Sequence, residues 1–156
     1  MLKVNYQLSV NPYPADEQAH LSAEQLWSGL VLRVLEPLRF TLGLDDAKIE
    51  QMDQDNYQRV LFFGDNAIRD RVALTEQRSI RFVTEATERA PSGELYYEIQ
   101  EHPTEGLMLH CEYVTAFPEP NSDEEKQLLA MIQNAYRMAD EDMLRIIREY
   151  SLEARH

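Results

Sequence analysis

Apolar and polar side chains alternate through residues 3–10, with Val4, Tyr6, Leu8 and Val10 on one side and Lys3, Asn5, Gln7 and Ser9 on the other. A period of two predicts a half-buried strand. Asn11-Pro12-Tyr13-Pro14 stops it, because proline cannot donate to a ladder. The period then lengthens. Leu26, Trp27, Leu30, Val31 and Val34 recur at helical spacing behind Ser22, and Gln25 completes a capping box with that serine. Gly29 costs this helix about 1 kcal/mol relative to alanine, which suits a close approach by another backbone. Pro37 ends the helix, and 37–44 holds a second, short helical turn with Gly43 as its terminator.

From residue 47 to residue 116 the strand pattern returns, at 47–52, 57–63, 67–74, 79–85, 94–100 and 107–116. The gaps are short and rich in turn residues, such as Gly64-Asp65-Asn66 and Pro91-Ser92-Gly93. Gaps of that kind favour hairpins and leave no room for crossover helices, so an antiparallel meander is expected and a doubly wound sheet is excluded. Ser122, with Glu125 three residues on, caps a last helix over 122–150. Its apolar stripe is Leu128, Ile132, Tyr136, Ala139, Met143, Ile146, Ile147 and Tyr150. Asp123, Glu124 and Glu125 suit its positive end, and Arg145 and Arg148 its negative end.

The order therefore predicts an α+β fold: a seven-stranded curved antiparallel sheet wrapped on a long C-terminal helix, with two short helices after the first strand. A meander of that size must twist. Its concave face needs a cover, and only the terminal helix is long enough. Strong curvature then leaves a cavity between helix and sheet, open at one end and lined mainly by apolar groups with a few polar ones.

Composition narrows the partners. The 156 residues suit a single domain over 1–156, and 44% hydrophobic with 28% charged residues exclude a disordered chain. A formal charge of −13 repels phosphate backbones and anionic lipid heads, so neither nucleic acid nor membrane insertion is expected. The most apolar window, 26–35, is broken by Arg33 and too short to span a bilayer, and residues 1–7 lack the apolar run of a secretory leader. A soluble, cytoplasmic protein is expected. Cys111 is the only cysteine, and the four histidines show no ligand spacing, so no disulfide, metal or cofactor is expected. There is no phosphate-binding glycine loop and no nucleophile elbow. Asp53-Gln54-Asp55-Asn56 lacks the glycine and glutamate of a calcium loop and reads as a turn.

Two stretches carry a family resemblance. Leu21-Ser22-Ala23-Glu24-Gln25-Leu26-Trp27-Ser28-Gly29-Leu30-Val31-Leu32-Arg33 resembles the Gln-Leu-Trp, Gly-Leu and Arg signature of the AtaL-like branch of the START-like (SRPBCC) superfamily, the helix-grip proteins that include the major birch pollen allergen. Phe63-Gly64-Asp65-Asn66-Ala67-Ile68-Arg69-Asp70-Arg71-Val72 is similar to that branch's third-to-fourth-strand hairpin. The resemblance covers essentially the whole chain. It implies a single START-like domain that binds a hydrophobic small molecule. It supplies no catalytic residues, and its relatives range from lipid carriers and polyketide cyclases to protein-binding modules.

Candidate chemistry lies on the inward-facing positions. Alternation puts Ile68, Asp70, Val72 and Leu74 on one face, so Asp70 is a carboxylate among hydrophobes. It is either a poised acid for an aldol-type cyclisation or a structural carboxylate held by a tyrosine, a backbone N–H or an arginine. Leu107, Leu109, Cys111 and Tyr113 share one face of the last strand, opposite Met108, His110, Glu112 and Val114. With the first face inward, Cys111 is a small buried hydrophobe; in the reversed register, His110 and Glu112 become an internal acid–base pair. Tyr6, Tyr97, Tyr113 and Tyr136 fall on inward faces, where each hydroxyl seeks a partner. Trp27, Phe62 and Met143 join them as candidate ligand contacts, or fill the core. Three functions compete: a binder of a lipid-, polyphenol- or polyketide-like molecule, a cyclase or lyase using Asp70 and tyrosines, and an interaction module working through the acidic surface or the exposed end of the long helix. A homodimer stays open.

Overall fold

A computed structural model describes residues 2–11 and 20–154; the expected proline stop at 12–14 lies outside them. The elements run β1 (Leu2–Ser9), α1 (Ala23–Leu35), a single 3-10 turn (Pro37–Arg39), β2 (Asp46–Gln51), β3 (Asn56–Phe63), β4 (Asn66–Thr75), β5 (Ser79–Thr84), β6 (Gly93–His102), β7 (Gly106–Thr115) and α2 (Asp123–Ala154). This is the expected α+β helix-grip order, with the sheet curved around the long last helix.

The strands lie in the order β1-β7-β6-β5-β4-β3-β2, and every neighbouring pair is antiparallel. β2 to β7 follow one another by hairpins, and β1 closes onto β7 with Val4 opposite Tyr113. The β3–β4 turn is Gly64-Asp65, where Gly64 takes φ +58° at no steric cost. That turn sets Phe63 opposite Asn66, and hence Arg59 opposite Asp70.

α1 begins with the expected capping box: Gln25 N–H donates to Ser22 Oγ (3.1 Å), and Ser22 N–H to Gln25 Oε1 (2.8 Å). Leu26, Leu30 and Val34 are buried against Val72, Ile80, Phe82 and Tyr97 of the sheet and Met143, Leu144 and Ile147 of α2. Gly29 marks the crossing of the two helices. A Cβ there would lie 2.3 Å from Ile147 Cγ2, so the close approach is to a side chain and not to a backbone.

Three expectations for α2 change. Glu125 N–H donates to Ser122 Oγ (3.1 Å), but the Glu125 carboxylate accepts from Asn121 N–H (2.6 Å), one residue before the cap. The helix continues past 150 to Ala154, so Arg148 does not complement its end; it donates instead to the Val10 carbonyl (2.8 Å) and pins α2 to the chain leaving β1. The apolar stripe is covered only in part. Leu128 is 57% exposed, and the buried positions begin at Asp140. The helix therefore grips the sheet through its second half.

Candidate functional site

Strand parity places the site. On β7, Leu109 and Cys111 are buried and Tyr113 half-buried on the inner face. His110 and Glu112 lie on the outer face, where Glu112 pairs with Lys3 (2.6 Å) and His110 (3.6 Å). A hydrogen bond from Lys3 holds the Glu112 carboxyl below the usual range. The reversed register is thus ruled out.

Three of the inward tyrosines converge on one carboxylate that the apolar pattern did not single out. Tyr97 donates its hydroxyl to Asp140 Oδ1, and Tyr6 and Tyr113 (2.8 Å) donate theirs to Oδ2. Asp140 is 1% exposed. β1, β6 and β7 each supply one phenol, and the first well-buried turn of α2 supplies the acceptor. A buried carboxylate is costly unless its lone pairs are filled, and three phenols fill them. Tyr136, one turn earlier on α2, stacks on Tyr113 with centroids 4.2 Å apart and planes 2° from parallel. Burial, then the Asp140 charge, pushes Tyr6 and Tyr113 well above the ordinary phenol range; Tyr97 is raised for the same two reasons, against an opposing pull from Arg33. Burial and Asp140 likewise raise the Cys111 thiol, so it is a buried thiol and not a nucleophile.

Arg33 of α1 reaches into the same space. Its guanidinium lies over the rings of Phe82 (5.7 Å) and Tyr97 (5.6 Å). Burial alone would lower its pKa, and the electrostatics of Tyr97, Asp140, Tyr113 and Cys111 outweigh that and raise it. Its Nε is buried without a hydrogen-bond partner.

Asp70 belongs to a second cluster. Arg59 Nε donates to Asp70 Oδ1 (2.9 Å) and Nη2 to Oδ2 (2.6 Å), while Nη1 donates to the Val34 carbonyl near the end of α1 (3.0 Å). Both residues are buried, at 6% and 5% exposure. The pair is a bidentate clamp joining β3 and β4 to α1, with the Arg59 guanidinium over the ring of Phe82 (5.2 Å). Both Asp70 oxygens are committed to it.

Of the other candidates, Met143 is 1% exposed, one turn beyond Asp140. Trp27 is 7% exposed and packs in the core beneath α1. Phe62 is a correction: it lies on the outer face, its ring 5.8 Å from the Lys48 ammonium, because its parity is opposite to that of Arg59. The gripped space also differs from the apolar cavity expected, since its centre is the Asp140–tyrosine network with Arg33. An apolar cleft of about 170 Å³ opens at one end of α2, lined by Leu2, Phe117, Pro118, Leu128, Leu129 and Ile132. Among the described residues no three His, Cys, Asp or Glu side chains gather as a metal site.

A curved antiparallel sheet closed by a C-terminal helix, with polar groups buried between them, defines a helix-grip protein. The chain belongs to the family of acetylaranotin biosynthesis cluster protein L (AtaL), whose model matches residues 4–154. No curated protein sequence matches it. Among solved structures it is similar to the di-domain ARO/CYC BexL from the BE-7585A biosynthetic pathway (TM-score 0.66, 7% identity, 96% of this chain and 50% of that one). It is also similar to the di-domain ARO/CYC StfQ from the steffimycin pathway (0.63, 14%, 97% and 51%). The ZhuI aromatase/cyclase from Streptomyces sp. R1128 is matched over nearly its whole length (0.55, 13%, 96% and 92%). The chain thus spans about half of each di-domain protein, and at these identities the likeness is one of fold. No helix among the described residues is long and apolar enough to cross a membrane.

Proposed function

We propose that this protein binds a hydrophobic or amphipathic small molecule between α2 and the concave face of the sheet. The observation that carries this reading is the concentration of polar groups under α2, where the buried Asp140, three phenols and the half-buried Arg33 lie together. A core built only for stability does not need them, since replacing buried ionic groups by apolar ones is often neutral or better. Tyr6, Tyr113, Tyr136 and Leu95 keep partial exposure on the same face. The apolar cleft at Ile132 lies one helical turn from Tyr136 and offers a guest its entrance. Apolar walls with a few fixed polar groups are the usual make-up of a small-molecule site. That structural neighbours are aromatase/cyclases favours a polyketide-like guest.

The same residues favour one enzymatic alternative, a cyclase or lyase working at the Asp140 network instead of at Asp70. Asp70 is clamped by Arg59, whereas the phenol–carboxylate network lies beside Arg33, whose Nε has no hydrogen-bond partner. Such a reaction would move a proton through Tyr113 or Tyr6, the two phenols with some exposure.

The test is titration of purified protein with the neutral fluorophore N-phenyl-1-naphthylamine, with native mass spectrometry for co-purified ligand. Saturable binding that is lost on filling the cleft with Leu129→Trp supports the reading. No saturable binding and no retained ligand overturns it.

A further inference from the structure

Asp140 and Arg33 lie in one space but are unequally served. Asp140 accepts three phenol hydrogen bonds. Arg33 carries five N–H donors in a fixed fork, yet among the described residues it makes no hydrogen bond and no ion pair. Its neighbours are the faces of Phe82 and Tyr97, which attract a cation but accept none of its hydrogen bonds. Arg59 is the internal control: it also lies over Phe82, and all three of its nitrogens donate to Asp70 or the Val34 carbonyl. The buried Nε–H of Arg33 is unpaired, which is costly, and a planar guanidinium matches a carboxylate or similar oxyanion in bidentate fashion.

We infer that the guest of the gripped space carries an oxyanion, a carboxylate, phenolate or enolate, which Arg33 binds, with its apolar body held along Tyr113 and Tyr136. This rests on the ligand-binding reading above and adds the chemical class. An anion is the less obvious guest for a chain of formal charge −13, which repels it at long range. Only a local, desolvated cation reverses that preference. Asp140 does not cancel it, because its charge is already shared among three phenols.

The experiment uses a matched pair of fluorophores: 8-anilinonaphthalene-1-sulfonate, and N-phenyl-1-naphthylamine, which lacks the sulfonate. The inference expects wild type to bind the sulfonate at least as tightly as the neutral probe. Arg33→Met should weaken the sulfonate tenfold or more and leave the neutral probe within twofold, while Arg33→Lys retains an intermediate affinity. Arg69→Gln/Arg71→Gln, on the outer face, is the control for surface binding and should change neither probe. Displacement of the neutral probe by decanoate but not decanol would mark an aliphatic acid; displacement by 1-hydroxy-2-naphthoate but not 1-naphthol would mark an aromatic one. Should Arg33→Met not fold, these acid-against-alcohol comparisons on wild type decide alone. Equal loss of both probes in Arg33→Met, or equal competition by acid and alcohol, overturns the inference while ligand binding stands. Binding of neither probe by wild type removes both.

Discussion

Replacing Asp140 by leucine tests whether the phenol network holds α2 on the sheet. Leucine keeps the branch at Cγ and is the larger side chain, so the change removes charge and acceptors without leaving a void. Tyr97 is 0% exposed and loses the acceptor of its hydroxyl; stranding such a donor costs about 1–3 kcal/mol. Tyr6 and Tyr113 are partly exposed and can turn to water, so each loses less. Relief of the carboxylate's own desolvation offsets part of the cost. The net expectation is a loss of about 2–4 kcal/mol, a large share of the 5–15 kcal/mol that domains possess. For a chain of this length that lowers Tm by roughly 5–15 °C. Thermal and urea unfolding followed by far-ultraviolet circular dichroism measures it. A cycle with Tyr97→Phe adds the mechanism: if the Tyr97–Asp140 bond is the cause, the double variant loses less than the two singles together, with a coupling of about 1–2 kcal/mol. An Asp140→Leu protein as stable as wild type, or no coupling to Tyr97, would refute this account of the network.

Arg59→Leu leaves Asp70 buried and unpaired and should cost about 3–5 kcal/mol, of which Arg59→Leu/Asp70→Leu recovers at least half; urea midpoints compare the two. Because Tyr6, Tyr97 and Tyr113 titrate above their unfolded value of about 10, the native state keeps protons that the unfolded chain releases. The phenols' contribution to stability is therefore intact below pH about 10 and falls above it, by up to about 1.4 kcal/mol per pH unit for each phenol. Absorbance at 295 nm should show these three ionising only as the protein unfolds, and a gradual titration in folded protein contradicts the hold of the Asp140 network on them. Gly29→Ala, which gains about 1 kcal/mol in an ordinary helix, should here lower Tm because the new Cβ meets Ile147. In an Ile147→Ala background the same change should raise it.

The strands and the sheet order were legible because one buried face fixes parity over six to ten residues at a time, and short hairpin gaps leave no other topology. The inward tyrosines were legible for the same reason. Asp140 was not, because a search for an apolar stripe treats a carboxylate as an interruption, although 136, 140, 143 and 147 keep helical spacing. Arg33 was hidden likewise, as the residue that broke the apolar window of α1. Phe62 failed on a point the residues could have decided. The run Val60-Leu61-Phe62-Phe63 is apolar on both faces, so its own pattern carries no parity. The two-residue turn at Gly64-Asp65 does carry it, since it pairs 63 with 66 and therefore 59 with 70. Partners across a hairpin share a face. If Asp70 points inward, so does Arg59, a ready cation for it, and Phe62 at odd separation from Arg59 must point outward. A charged residue at the buried phase of an amphipathic helix is ambiguous by itself, and so is a tyrosine on an inner strand face. Three such phenols facing one helix that buries a single carboxylate are no longer ambiguous, because each supplies the partner without which the other could not be buried.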